Sequence, residues 1–194
     1  MIVLRAAALV LSAALLLVPP STAGEFAPFA GLQYGGSFNA AATGRTVSIG
    51  ADLVAGATLD FPIGETWGVE FLYSRQATDL SGGADIAVER YMAGVREQKG
   101  EGPTRFFGVF LLGATRFVPG FDGFDSDVRF TAGVSLGVKH SLTSHFGLRA
   151  ETRGWYVVVD AGGGTACVNG ACLFVYRSSG LWQGDVTGSL VFTF

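Results

Sequence analysis

A chain of 194 residues with 13 Lys and Arg against 16 Asp and Glu carries a formal charge of −3, too balanced for a nucleic-acid-binding surface. Its 29 glycines are roughly twice the usual share, yet 49% hydrophobic and 12% aromatic residues exclude a disordered polymer. Beyond the N-terminal run, no apolar stretch approaches the ~20 residues of a spanning helix, so any membrane crossing must be made by strands.

The chain opens with a short basic start ending at Arg5, then Ala6 to Val18, apolar except for Ser12. Pro19 and Pro20 break the run, and Ser21, Thr22 and Ala23 supply small residues before Gly24. This three-part pattern predicts a cleaved secretory signal over residues 1–23 and a single domain over 24–194.

From Gly24 onward the period is two. Ala30, Leu32 and Tyr34 alternate with Gly31, Gln33 and Gly35. Leu53, Ala55, Ala57, Leu59 and Phe61 alternate with Asp52, Val54, Gly56, Thr58 and Asp60, and Trp67, Val69, Phe71 and Tyr73 with Gly68, Glu70, Leu72 and Ser74. The stretch from Ala84 to Gln98 leaves its register open. Tyr91, Ala93 and Val95 suit one face and Arg90, Gly94 and Arg96 the other, but Glu89 then falls among the apolar set, which suggests a bulge. Phe107 to Phe117 is apolar on both faces. Phe130 to Val138, Phe146 to Ala150 and Trp182 to Phe194 alternate cleanly again. The periodicity predicts eight strands.

The connections also alternate. Pro62 to Thr66, Lys99 to Thr104 and Ser141 to His145 read as short turns; Ala40 to Thr46, Thr78 to Gly83, Val118 to Ser126 and Asp160 to Gly180 read as longer loops. Short turns at one end and long loops at the other are the asymmetry of an outer-membrane barrel. A soluble sandwich or lipocalin-like barrel alternates too, but its polar face would be rich in Lys and Glu. Here that face is Gly, Ser, Thr and a few charges of both signs, which suits a narrow interior. The expected fold is all-β, an eight-stranded antiparallel up-and-down transmembrane β-barrel. Phe61, Trp67, Phe117, Phe146, Trp182 and Phe194 are expected in its interfacial girdles.

The terminal GSLVFTF, with Val186, Leu190, Phe192 and Phe194 on its apolar face, resembles the C-terminal signal that barrel-assembly machinery recognises in outer-membrane proteins. Together with DVRFTAGVSLGVKHSLTSHFGLRAETRGWY, it resembles the small porin-like outer-membrane barrels related to OmpA and OmpX. The resemblance implies residence in the bacterial outer membrane, with lipid and lipopolysaccharide as surroundings. It implies no particular activity.

On the inward faces, Glu70, Arg129, Lys139, Arg149, Glu151, Arg153 and Asp185 must pair, since an unpaired buried charge costs several kcal/mol. A structural network filling the lumen is the favoured reading over an ion or proton path. A lipid A-modifying barrel hydrolase is the enzymatic alternative, and would need Ser beside His. His140-Ser141 and Ser144-His145 offer that only at the periplasmic turn, away from outer-leaflet lipid, so no catalytic residue, cofactor or metal is expected. DGFDSD lacks the rest of a calcium loop, and GGGTACVNG lacks the Lys and helix of a phosphate loop.

TACVNGACL centres on Asn169-Gly170, the preferred two-residue hairpin turn, which sets Cys167 opposite Cys172. An exported chain makes a disulfide there an expectation. Leu173, Phe174 and Tyr176 beside it, with Phe121 and Phe124 in the preceding loop, are candidate external contacts for an unidentified surface partner. The functional expectation is a structural or surface-interaction barrel; a narrow-pore transporter is the remaining alternative.

Overall fold

The computed structural model describes residues 23–39, 46–80, 84–120, 126–158, 164–168, 171–175 and 180–194. The expected signal over 1–23 therefore lies almost wholly outside the described residues. The strands are β1 (Glu25–Tyr34), β2 (Ser37–Asn39), β3 (Thr46–Ser48), β4 (Asp52–Ile63), β5 (Trp67–Leu80) and β6 (Ala84–Lys99). They continue with β7 (Thr104–Pro119), β8 (Asp127–Ser141), β9 (Phe146–Val157), β10 (Gly164–Val168), β11 (Ala171–Val175) and β12 (Leu181–Thr193).

Eight of them close in the order β1-β12-β9-β8-β7-β6-β5-β4, every neighbouring pair antiparallel. Closure leaves no open edge, as lipid requires. The short pairs β2–β3 and β10–β11 are ribbons in the first and last connections at one end. At the other end are the turns 64–66, 100–103 and 142–145. Gly64 (φ 70°) and Gly102 (φ 76°) take left-handed conformations there that L side chains rarely adopt. By the usual asymmetry of such barrels, the turns mark the periplasmic end.

The burial pattern is inverted relative to a soluble protein. Gln33, Thr58, Glu70, Arg90, Thr131 and Asp185 are buried inside, whereas Leu53, Phe106, Leu136 and Trp182 are more than two-thirds exposed on the outer wall. Because side chains alternate, this divides the strands into a lipid-facing and a lumen-facing set, as the sequence pattern expects.

Three readings are corrected. β6 pairs with β5 and β7 through an uninterrupted register, so it holds no bulge. Glu89 is outward-facing after all, because Arg75 and Arg116 on the neighbouring strands meet its carboxylate at 3.8 and 3.7 Å. Phe117 is not a girdle residue: it is 4% exposed and points inward, on the same face as Leu111 and Thr115. The connection expected over Thr78 to Gly83 is shorter, since the β5–β6 ladder runs on to Leu80 and Ala84.

The remaining girdle is well formed. Phe192 contacts Phe146 (5.4 Å between centroids) and Phe26 (6.5 Å) at the periplasmic end. Tyr156 and Trp182 (4.8 Å) and Tyr73 and Tyr91 (5.1 Å) pair towards the external end.

Candidate functional site

The lumen is lined by a charge network and by aromatic rings. Arg149, on β9, is its hub. Its guanidinium donates to Glu70 Oε2 (2.7 Å), Asp60 Oδ2 (3.1 Å) and both carboxylate oxygens of Glu151 (2.9 and 3.1 Å). Glu151 also accepts from Arg153 Nη2 at 2.6 Å, and Arg153 reaches Asp185 at 3.5 Å. Period two is the cause: Arg149, Glu151 and Arg153 stand successively on one face of one strand, so each cation adjoins the carboxylate.

Towards the periplasmic mouth, Asp60 pairs with Arg96 (3.2 Å), and Glu25 joins Arg96 (3.6 Å) to Lys139 (2.6 Å). Towards the external end, Asp185 accepts from Trp155 Nε1 at 2.7 Å. Arg90 donates to Gln33 at 2.6 Å and to Gln183, and Gln33 donates to Gln76. Five cations (Arg90, Arg96, Lys139, Arg149, Arg153) thus face five carboxylates (Glu25, Asp60, Glu70, Glu151, Asp185). A balanced set is what burial of charge demands.

Of the lumen residues singled out from sequence, Glu70, Lys139, Arg149, Glu151, Arg153 and Asp185 meet in this network. Arg129 does not: it pairs with Asp127 (2.7 Å) at the external mouth. Glu25, Asp60, Arg90 and Arg96 are additional members. Asp60, Arg90 and Arg96 had the inward parity, but nothing in one sequence says which distant strand supplies their partners.

Three glycines explain how bulky rings fit among these charges. Phe29 lies directly opposite Gly56, Phe107 opposite Gly137, and Trp155 opposite Gly133. A Cβ at those glycines would meet the facing ring at 2.6, 2.3 and 2.4 Å. Each ring is covered in turn by a guanidinium: Arg153 over Phe29 (4.2 Å), Arg149 over Phe107 (4.2 Å) and Arg90 over Trp155 (5.1 Å). The lumen therefore contains three stacks of glycine, aromatic ring and arginine. Cation–π contacts in desolvated surroundings of this kind contribute about 2 kcal/mol each.

The other candidates are placed as follows. His140 Nδ1 lies 2.8 Å from Thr104 Oγ1 on the paired strand β7, and His145 Nδ1 lies 2.9 Å from Ser144 Oγ. Both are exposed at the periplasmic turn. Among the described residues no group of three or more His, Cys, Asp and Glu is arranged to hold a metal. Asp122, Asp125, Phe121, Phe124 and Tyr176 lie outside the described residues. So do the side chains of Cys167, Cys172, Leu173 and Phe174, but the backbone register of β10–β11 does set Cys167 opposite Cys172. On β12, Val186, Leu190 and Phe192 face outward. Phe194 follows them, its N–H donating to Gly24 O at 2.9 Å.

No protein-family profile and no curated protein matches the chain. Solved structures do. Neisserial surface protein A aligns with a TM-score of 0.65 at 14% identity, over 89% of this chain and 97% of that one. The outer membrane protein OprG from Pseudomonas aeruginosa aligns with a TM-score of 0.53 at 16% identity, over 89% and 97%. The outer membrane protein AlkL, solved in lipid bilayers, aligns with a TM-score of 0.52 at 14% identity, over 89% and 90%. The chain shares the fold of these proteins. With its apolar outer wall and polar inner face, it is an eight-stranded transmembrane β-barrel of the outer-membrane type.

Proposed function

We propose that the protein is a non-conducting barrel of the bacterial outer membrane that anchors its external connections for contact with a partner outside the cell. The observation that supports this reading is the charge-balanced network from Lys139 to Arg90, packed with three capped rings, inside a barrel whose eight strands leave little bore. Planar-bilayer recording tests it. The purified barrel should insert without producing discrete open-channel steps; a stable unitary conductance would overturn the reading.

A narrow path for water or protons is a second reading with its own support. Glu70 Oε1, Ser74 Oγ, Ser135 Oγ and Thr187 Oγ1 are buried without a hydrogen-bond partner in the protein. Water molecules are the usual partners of such atoms. Proton flux into vesicles carrying the barrel, above that of protein-free vesicles, would favour this reading. No lipid-hydrolysing role is proposed for the His140 and His145 turns.

The external contact is assigned to the last two connections, through Phe121, Phe124, Leu173, Phe174 and Tyr176, with a Cys167–Cys172 disulfide holding the β10–β11 ribbon. A ring this small stabilises by about 2 kcal/mol, acting on the ribbon more than the barrel. Replacing both cysteines with Ser should leave the heat-modifiable barrel intact on gels and increase protease cleavage between β9 and β12. Two free thiols in the untreated native protein would remove the staple.

Biogenesis is assigned to the barrel-assembly machinery, with Val186, Leu190, Phe192 and Phe194 as the recognised face. Phe194→Ala should lower outer-membrane yield in cells while leaving unassisted refolding in detergent nearly unchanged. Normal cellular yield would refute that role.

A further inference from the structure

The outer wall holds one charged group that the lumen network does not explain. Arg75 on β5, Glu89 on β6 and Arg116 on β7 stand directly opposite one another and all face outward. The other charged outward positions described in the strands lie at the ends: Glu97 and Lys99 at the periplasmic end, Asp79 and Asp85 beyond the trio at the external end. Directly beneath the trio are the paired, tilted rings of Tyr73 and Tyr91, and beneath those apolar residues such as Val69, Phe71, Ala93, Phe110 and Leu112. The trio therefore marks the outer edge of the apolar band, at the level of the outer-leaflet headgroups.

Its internal geometry is asymmetric. Glu89 is covered (14% exposed) and receives the Tyr91 hydroxyl at 3.1 Å. The two arginines are open, 59% and 44% exposed, and each touches Glu89 through one nitrogen. A guanidinium has five N–H donors, so most of each fork is left for something outside the protein. Two cations around one carboxylate also leave a net positive charge. A cation on the lipid face costs least near the interface, and Arg rather than Lys is the residue whose planar fork grips a phosphate through two parallel bonds.

We propose that Arg75 and Arg116 form a binding site for the phosphorylated headgroup of an outer-leaflet glycolipid. Glu89 spaces and steadies the two forks from between them, and Tyr73 and Tyr91 lie against the sugar–acyl boundary below. The carboxylates of Asp79 and Asp85, two rows further out, disfavour phosphate at that height and keep the headgroup at the arginine level. The site rests on outer-membrane residence, but on neither reading of the lumen.

The test uses the refolded full barrel in detergent, with retained lipid counted by native mass spectrometry. Wild type should retain diphosphoryl lipid A about tenfold better than its dephosphorylated form, the ratio expected of one charge-assisted phosphate contact. Arg75→Gln/Arg116→Gln should abolish that preference while keeping the gel shift of a folded barrel. Glu89→Gln, which adds net positive charge, should maintain or increase retention. The proposal is overturned by no phosphate preference in wild type, an unchanged preference in the double variant, or equal retention of phosphatidylglycerol. Inorganic phosphate at millimolar concentration should compete only weakly; full displacement by it would likewise show that no lipid headgroup is recognised.

Discussion

Arg149→Ala should be among the most damaging single substitutions in the barrel, with an expected loss of about 3–5 kcal/mol or more. The replacement leaves Asp60, Glu70 and Glu151 without the guanidinium that joins all three, and also uncovers the Phe107 ring. Arg149→Lys should recover only part of the loss, because one ammonium cannot reproduce four directed N–H bonds. Glu151→Ala should fall at about 3 kcal/mol, towards the lower end of the range for breaking a buried pair. Arg149 keeps two carboxylates in that variant, while Arg153 keeps only Asp185 at 3.5 Å. Arg129→Ala should cost under about 1 kcal/mol, since its pair is isolated and partly exposed at the mouth. Urea unfolding in lipid vesicles, followed by gel shift, ranks the four. If Arg149→Ala matches Arg129→Ala, the hub contributes nothing beyond a surface pair.

The contrast between Arg149 and Arg129 also shows where sequence reasoning reaches its end. Alternation alone assigned both to the inner face, and it assigned Arg149, Glu151 and Arg153 to one row because their spacing is local. What it could not supply is the partner from a distant strand. Asp60 and Glu70 reach Arg149 only because closure brings β4 and β5 across the lumen from β9. The same reason explains the bulge expected in β6. Glu89 breaks the apolar face of β6 when read alone, and becomes consistent once Arg75 and Arg116 flank it. β7 was ambiguous for a different reason. Its inward residues, Phe107, Val109, Leu111 and Phe117, are apolar in a lumen otherwise read as polar, and Phe107 is the one that Arg149 covers. The high glycine content was visible at once, but its use was not. At Gly56, Gly133 and Gly137 it leaves room for a ring on the neighbouring strand.

That use yields the second large effect, at Trp155. Trp155→Ala removes a fully buried ring, the donor to Asp185 and the surface under Arg90, for an expected loss of about 3–5 kcal/mol. Gly133→Ala attacks the same stack from the other side. Its Cβ would lie 2.4 Å from one ring carbon and 2.5 Å from the next, so the indole must leave its seat, at about 1–3 kcal/mol. The two losses should not add. Without the ring, the nearest remaining atom to a Cβ at position 133 is Gly154 O at 3.5 Å, an ordinary contact. Gly133→Ala should therefore cost almost nothing in the Trp155→Ala background, giving a coupling of about 1 kcal/mol or more across the cycle. Additive losses would mean that the backbone at position 133, and not the ring above it, requires glycine. The stack would then be a contact without consequence for stability.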